Sequence, residues 1–283
     1  MVALVLLARL TIFVFVITSM FGMGLGLSLP QILEPLCSTR LVLSALAANF
    51  VLVPLLACLI TRVIALDQPL AIGILLLGTG AGAPFLPKLV EFARGNLALA
   101  VGLMVVLMTA TVLYMPIVLP ILLPVARVSP WSLAKPLVIV MLVPLILGLS
   151  VRARRPAFAS RLHLYLRRAS TIALIFAVLL VLAANYSKVI RTINFNTILA
   201  GGLLLLVSFV CGYVLGGPSA DTRRTFAFGT AQRDISAGLL VAVENFPNPE
   251  VVVMLIVVAL LGLCIQIPIA IAFGRRPAQE NVV

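Results

Sequence analysis

Three polar residues, Gln232, Arg233 and Asp234, lie side by side in an otherwise apolar segment that reads TFAFGTAQRDISAGLLVAVENF from Thr225. A charge at the centre of a bilayer costs at least about 2.5–3.5 kcal/mol, so such side chains face the protein interior. Their chemistry is that of a pathway for an ion, a proton or an anion, or of an internal Arg233–Asp234 ion pair that only ties helices together. Because adjacent positions on a helix point in different directions, we expect each charge to meet a different partner.

A second group of charges follows an interruption in the segment GTGAGAPFLPKLVEFARG, residues 78–95. Its glycines and prolines, Pro84 among them, predict that a membrane helix breaks here. A break is tolerated at membrane depth only where protein or a water-filled cavity covers the backbone. Lys88 is the deepest charge after the break and is predicted to be functional. The alternative is that Lys88, Glu91 and Arg94 form an ordinary basic and acidic face at the end of the helix.

The composition of the chain indicates that these charges are held by membrane-spanning helices. Of the 283 residues, 63% are hydrophobic and 10% are charged, and the mean hydropathy is +1.26. Apolar runs of the length that crosses a bilayer recur along the whole chain, which predicts an all-α, multi-pass membrane protein. The predicted spans are 2–28, 40–63, 69–94, 97–122, 131–151, 164–188, 196–216, 224–246 and 250–273.

The charge distribution indicates orientation rather than a nucleic-acid partner. The net charge of +12 comes from arginines that cluster between apolar runs, above all in 152–168. By the positive-inside rule the nine spans have the N-terminus outside and the C-terminus in the cytoplasm of a cell (inner) membrane. Eight or ten spans would place both termini on one side. The single histidine and four cysteines have no metal-ligand spacing, and no P-loop is present, so we expect neither a metal site nor a cofactor.

The third and eighth spans lie five spans apart, and both are interrupted. Equivalent helices separated by an odd number of spans have opposite orientations, as in the inverted repeats of secondary transporters. This layout predicts two crossed broken helices around a binding site, with Pro84 at one break and Gly229 and Thr230 at the other.

The chain resembles the bile acid:sodium symporter family in ARGNLALAV (93–101), after the first break, and in GTAQ (229–232), at the second. The resemblance implies a core domain (about 40–122 and 196–273) and a panel domain (about 2–28 and 131–188) in one transport unit. It also implies alternating access between the two domains and sodium-coupled uptake of a small amphipathic organic anion.

The positions that hold sodium in the family are altered in this chain. Gln232 matches the family pattern, and Asn49 is a candidate for an amide on an earlier helix. Sodium, like other hard cations, needs oxygen ligands, and most of the other positions offer no side-chain oxygen. Arg233 occupies a position that is Asn in the family. We therefore predict that Lys88, Arg233 or both fill the region of the sodium ion, and that transport is independent of sodium. The family's ligand and nearby positions fall here on Leu86, Pro87, Ala100, Met104, Phe228 and Arg233.

Three questions stay open at this point. Asp234 is a candidate proton carrier if no cation contacts it, and a structural carboxylate if Arg233 or Lys88 does. Thr109, Thr111 and Tyr114 of the fourth span line a substrate cavity or simply pack. The protein is a facilitative or secondary active transporter of an organic anion; the alternatives are a sodium-coupled bile-acid-type symporter and a membrane channel or sensor subunit. An enzyme is not expected, because no nucleophile and base occur together in the spans. The predicted partners are the anion and the lipid bilayer.

Overall fold

The computed structural model describes residues 2–33, 38–123 and 129–275, which fold almost entirely into helices. The helices in chain order are α1 (Val2–Gly26), α2 (Leu29–Leu33), α3 (Thr39–Ala47), α4 (Val53–Val63), α5 (Gln68–Thr79), α6 (Leu86–Phe92), α7 (Leu97–Leu122), α8 (Pro130–Pro136), α9 (Val143–Arg154), α10 (Pro156–Ala184), α11 (Tyr186–Thr192), α12 (Phe195–Leu215), α13 (Ala220–Ala231), α14 (Ile235–Asn245) and α15 (Pro249–Arg275).

Seven continuous helical stretches in these residues are long and apolar enough to cross a membrane. Two further crossings are each built from two short helices: α5 with α6, and α13 with α14. Together they give the nine spans predicted from the sequence, with the two interruptions where the glycines, prolines and charges predicted them. The all-α membrane fold is thereby confirmed.

The basic segment 152–168 is more helical than expected. α9 continues through Arg154 and α10 already begins at Pro156, so only Arg155 lies between them. Long arginine side chains keep their charge in water while their stems cover the helix surface, and this lets both helices extend beyond the bilayer core. The sixth span, predicted from 164, therefore starts about two turns earlier.

Two π-helical segments interrupt otherwise straight spans. Ala48–Leu52 joins α3 to α4, and Leu137–Leu142 joins α8 to α9. A proline follows each one in the first turn of the next helix, Pro54 and Pro144 respectively. Proline lacks the N–H that would bond to the carbonyl four residues earlier, so a local change of helix type is expected at these places.

The helices pack in two groups. α1 lies along α9 and α10, whereas the broken helices pack among α4, α7, α12 and α15. The half-helix α14 also packs against α1, α8 and the second π-helical segment. Large apolar side chains such as Leu55, Ile121 and Val214 are exposed, as expected where a helix faces lipid.

Candidate functional site

The two broken helices meet at their interruptions. α5 ends at Thr79 and the chain continues in extended conformation at Gly80, with φ −94° and ψ 121°. α13 ends at Ala231 and Gln232 is likewise extended, with φ −80° and ψ 105°. The two extended segments form a single antiparallel bridge between Ala81 and Arg233. The predicted crossing is thus held by backbone hydrogen bonding, including Asp234 N donating to Gly80 O at 3.2 Å.

The Arg233 side chain occupies the centre of this crossing, and only 2% of the residue is exposed. Its Nη1 donates to Asn49 Oδ1 at 2.8 Å and to Thr230 O at 3.0 Å. Two further bonds go to the end of α5: Nε to Leu77 O at 2.8 Å and Nη2 to Gly78 O at 2.9 Å. Four of the five guanidinium N–H groups are therefore bonded to groups of this chain.

The acceptors of Arg233 explain how a cation is stable at this depth. Leu77 and Gly78 lie in the last turn of α5, and Thr230 lies in the last turn of α13. Carbonyls at a helix C-terminus lack partners in their own helix and carry the negative end of the helix dipole. A guanidinium is always charged and presents its donors in a fixed plane, so one side chain satisfies both half-helix ends.

Asn49 is aimed at Arg233 by the first π-helical segment. Its Nδ2 donates to Ala45 O at 3.0 Å in its own helix, and its Oδ1 accepts from Arg233. The residue is 1% exposed, so the amide is buried with both ends bonded. From the sequence, Asn49 was only a candidate for an amide of the site on an earlier helix. In the structure its side chain contacts that of Arg233.

Asp234 points away from Arg233 and caps α14. Its Oδ1 accepts from Ser236 N at 3.0 Å and Ala237 N at 3.3 Å. A carboxylate at a helix N-terminus satisfies free N–H groups and the positive end of the dipole. Within the described residues Asp234 forms no ion pair, and its Oδ2 has no hydrogen-bond partner although the residue is fully buried. The two adjacent charges thus have different partners, as expected from their positions.

Lys88 does not join this buried group. Its Nζ pairs with Glu91 Oε2 at 2.8 Å, and the two side chains are 40% and 57% exposed. The amine also lies 4.8 Å from the centre of the Phe92 ring. Of the two cations considered for this region, one or both of which were expected there, the crossing contains Arg233, whereas Lys88 lies on α6 with the exposed Glu91. α6 begins at Leu86, Pro87 is its second residue, and Lys88 lies in its first turn.

The remaining predicted residues line or shape the crossing. Pro84 lies in the first interruption and is partly exposed. Gly229 lies on α13 beside Leu86, whose Cδ2 would be 3.6 Å from an added Cβ. Thr230 is 1% exposed and contributes its carbonyl to Arg233.

Gln232 faces a small cavity with room for about one water molecule between the crossing, α12 and α15. Its side-chain amide makes no hydrogen bond within the described part of the chain. Gln266 of α15 faces the same cavity; its Nε2 donates to Ala231 O at 3.4 Å and its Oε1 has no partner there. Gln266 was not predicted as a site residue, although a glutamine inside an apolar span is a visible signal in the sequence.

The segment ARGN, which carried the family resemblance, has a structural role. Arg94 has φ 51°, and Gly95 lies where an added Cβ would be 2.9 Å from Thr225 Oγ1. Asn96 caps α7 by accepting from Leu99 N at 2.9 Å, and its own N–H donates to Thr225 Oγ1 at 2.9 Å. These residues dock the end of one broken helix onto the other and do not reach the crossing.

The oxygens that converge at this crossing bond to Arg233. A hard cation would need several oxygen ligands, but the carbonyl oxygens that converge here already bind the guanidinium. Leu86 and Phe228 are fully buried and have no side-chain oxygen to offer.

Comparison with known proteins gives a consistent family. The model of the Sodium Bile acid symporter family matches residues 11–192, which includes the first broken helix and ends before the second. An "Uncharacterized sodium-dependent transporter YocS" of Bacillus subtilis (strain 168) is 27% identical over 246 residues, 84% of this chain and 74% of that protein. A "Probable sodium/metabolite cotransporter BASS2, chloroplastic" of Oryza sativa subsp. japonica is 27% identical over 240 residues, 83% of this chain and 57% of that protein.

The family match covers more than half of the chain, and the nine apolar crossings formed by the described residues, two of them interrupted, agree with it. Members of this family are transporters and not enzymes. The chain is a multi-pass membrane transporter that belongs to the sodium bile acid symporter family.

Proposed function

We propose that this protein transports a small amphipathic organic anion by alternating access without using a sodium ion at the crossing of its broken helices. One observation carries the proposal: Arg233 makes four hydrogen bonds to Asn49 and to the carbonyl ends of both half-helices. A positive charge that is covalently part of the chain stabilises the C-terminal dipoles at all times. If no sodium ion binds at the crossing, a sodium gradient cannot be coupled to transport through this site. The carrier is then a uniporter or exchanger, or is coupled to protons.

The fixed cation at the crossing is unavailable to a substrate, so a different basic group has to meet the anion. Lys88 meets this requirement because its only acidic partner within the described residues is the exposed Glu91. An anionic group could displace Glu91 at little cost, since exposed ion pairs contribute only about 0–1 kcal/mol. The neighbouring Phe92, 36% exposed, offers apolar surface to the body of the substrate.

The packing divides the helices into two groups, and we propose that these are the core and panel domains that move relative to each other. We assign α1, α8, α9 and α10 to the panel and the helices from α3 to α7 and α12 to α15 to the core. The half-helix α14 packs on the panel, whereas α6 and α13 have no comparable contact with it in the described residues. With the N-terminus outside and the protein in a cell membrane, the side of α6 is cytoplasmic, and the substrate path opens there.

Proton coupling is the second candidate, and the free Oδ2 of Asp234 favours it. Neither Arg233 nor Lys88 forms an ion pair with this carboxylate. A proton on Oδ2 would remove a buried charge while Oδ1 keeps its bonds to α14. In this mode Asp234→Asn, which mimics the protonated side chain, makes transport insensitive to a pH gradient.

Transport in proteoliposomes tests the proposal. Labelled taurocholate serves as the first probe, with counterflow into vesicles that hold the unlabelled compound, in sodium and in potassium buffers. We expect saturable counterflow at equal rates in both buffers, with a reduced rate for Lys88→Ala and a normal rate for the control Lys135→Ala, which changes an exposed lysine at the end of α8. Uptake that requires an inward sodium gradient would contradict the proposal, and unitary currents would indicate a channel.

A further inference from the structure

The helix α7 carries a buried hydroxyl that bonds to the first interruption. Thr111 Oγ1 donates to Ala81 O at 3.0 Å and accepts from Ala81 N at 2.9 Å. A threonine inside a helix commonly bonds to a carbonyl of its own preceding turn. Thr111 is fully buried and instead satisfies both backbone groups of a residue in another span.

A second α7 hydroxyl lies one turn further along. Tyr114 Oη donates to Phe50 O at 2.6 Å, and the two rings pack with centroids 4.8 Å apart. Pro54 lies four residues after Phe50 and has no N–H, so the α-helical bond to that carbonyl cannot form. The tyrosine hydroxyl therefore compensates for the proline in the first π-helical segment.

Both bonds hold backbone that serves Arg233. Phe50 directly follows Asn49, whose Oδ1 accepts from Arg233. Ala81 pairs with Arg233 in the antiparallel bridge and lies just beyond Gly78, another of its acceptors. The two hydroxyls of α7 thus fix the two backbone segments from which Arg233 obtains three of its four bonds.

We propose that Thr111 and Tyr114 are positioning residues of the Arg233 site and that α7 is the element that keeps this site assembled. The start of α7 has a matching role, because Asn96 bonds to Thr225 of α13. One helix therefore holds the second, third and eighth spans in register around the guanidinium. The inference rests on Arg233 being the fixed cation of the proposed function, but it concerns what orders the side chain and not which ion is coupled.

Exchange of the Arg233 side-chain hydrogens reports on this ordering without any substrate. Arginine is labelled with ¹⁵N, and the Nε–H signals are followed after transfer into D₂O in detergent micelles. Among the arginines whose side chains the structure describes, Arg233 is the one that is buried, at 2% exposure. Its Nε–H, which donates to Leu77 O, is therefore expected to exchange slowest. Arg233→Lys confirms the assignment by removing that signal.

Three variants probe α7, and one serves as a matched control. Tyr114→Phe removes only a hydroxyl, Thr111→Val removes a hydroxyl at constant shape, and Thr111→Ser keeps it. Thr61→Val is the control, because Thr61 bonds only to Cys58 O in its own helix. We expect roughly two- to tenfold faster exchange of Arg233 Nε–H in Tyr114→Phe, the range that loss of one hydrogen bond produces in an opening equilibrium. Thr111→Val loses two bonds and should accelerate the exchange at least as much.

Thr111→Ser and Thr61→Val are expected to exchange like the wild type. Unchanged exchange in both Tyr114→Phe and Thr111→Val would overturn the proposal, and so would equal acceleration in Thr61→Val, which would indicate general loosening. If Thr111→Val does not fold, Tyr114→Phe decides, since it keeps the ring that packs on Phe50. None of these outcomes depends on sodium, so the inference and the proposed function can fail separately.

Discussion

The two interruptions at the crossing reach the same end by different means. The first, from Gly80 to Phe85, is made of glycine, alanine, proline and phenylalanine and has no charge of its own. It obtains its partners from elsewhere: Thr111 bonds to both backbone groups of Ala81, and Asp234 N donates to Gly80 O. The second, Gln232 to Asp234, is half as long and carries two charges that serve the half-helix ends around it.

This difference shows where the exposed backbone of a broken membrane helix finds its compensation. Unpaired peptide groups in a bilayer cost several kcal/mol each, so every break needs donors and acceptors close by. In this protein the second break carries permanent charges for this purpose: its guanidinium bonds to the ends of α5 and α13, and its carboxylate caps α14. The predictions below vary the two breaks separately, from the largest expected effect on stability to the smallest.

Removing the guanidinium should have the largest effect. Arg233→Leu leaves four acceptors without their donor, and a buried group that loses its partner costs about 1–3 kcal/mol. We expect the free energy of unfolding, measured by thermal unfolding in detergent, to fall by about 3 kcal/mol or more. Arg233→Lys keeps the charge with fewer donors and should be intermediate. The exposed Arg62→Leu is the control, and an equal loss there would contradict the assignment.

Gly82 should tolerate no side chain in the first break. It has φ +90°, and an added Cβ would contact Met108 N and lie 2.6 Å from Met104 O. Gly82→Ala should therefore cost about 1–3 kcal/mol for the backbone conformation alone. Gly229→Ala in the second broken helix is the comparison, because Leu86 Cδ2 is the nearest atom at 3.6 Å and the helix gains up to about 1 kcal/mol. Similar melting temperatures for the two variants would contradict this difference between the breaks.

Asp234 should matter for stability as a cap and not as a charge. Asp234→Ala removes the acceptor for Ser236 N and Ala237 N and should cost about 0.5–2 kcal/mol. Asp234→Asn retains a good capping oxygen and should unfold within about 0.5 kcal/mol of the wild type. If both variants are destabilised equally, the negative charge itself is required, and the carboxylate does not act as a simple cap.

Lys88 should show the smallest effect on stability and a clear effect on transport. Its pair with Glu91 is exposed, so Lys88→Ala should change the free energy of unfolding by less than about 1 kcal/mol. Loss of a hydrogen bond to a charged group should lower the apparent affinity for an anion by roughly tenfold or more. Normal transport by Lys88→Ala would remove Lys88 from the substrate path.

The general architecture was readable from the sequence. Apolar length gave nine crossings, and the glycines and prolines of 78–87 marked the first break. The cost of burying charge correctly indicated that Arg233 and Asp234 lie inside the protein. Their position on adjacent residues correctly indicated separate partners.

The sequence pattern could not predict the hydrogen-bond partners of these charges. Leu77, Gly78 and Thr230 accept hydrogen bonds from Arg233 through their backbone carbonyls. Every residue has such a carbonyl, so the residue types do not identify these acceptors. Lys88 and Arg233 were both candidates for the crossing because both are basic and near breaks, and the sequence could not distinguish them; Lys88 lies in the first turn of α6 and pairs with the exposed Glu91. For Thr111 the sequence favoured ordinary packing or a bond within its own helix over a cavity, and it gave no sign of the contact to Ala81.

The most direct test of the central claim compares the melting temperature of the purified protein in sodium and in potassium at equal ionic strength. A ligand that binds only the folded state stabilises it by about 2.7 kcal/mol at 100 times its dissociation constant. Because Arg233 already holds the convergent carbonyls, we predict the same melting temperature in both salts. A saturable rise that is specific to sodium would show that an ion still binds, and would contradict a fixed arginine in its place.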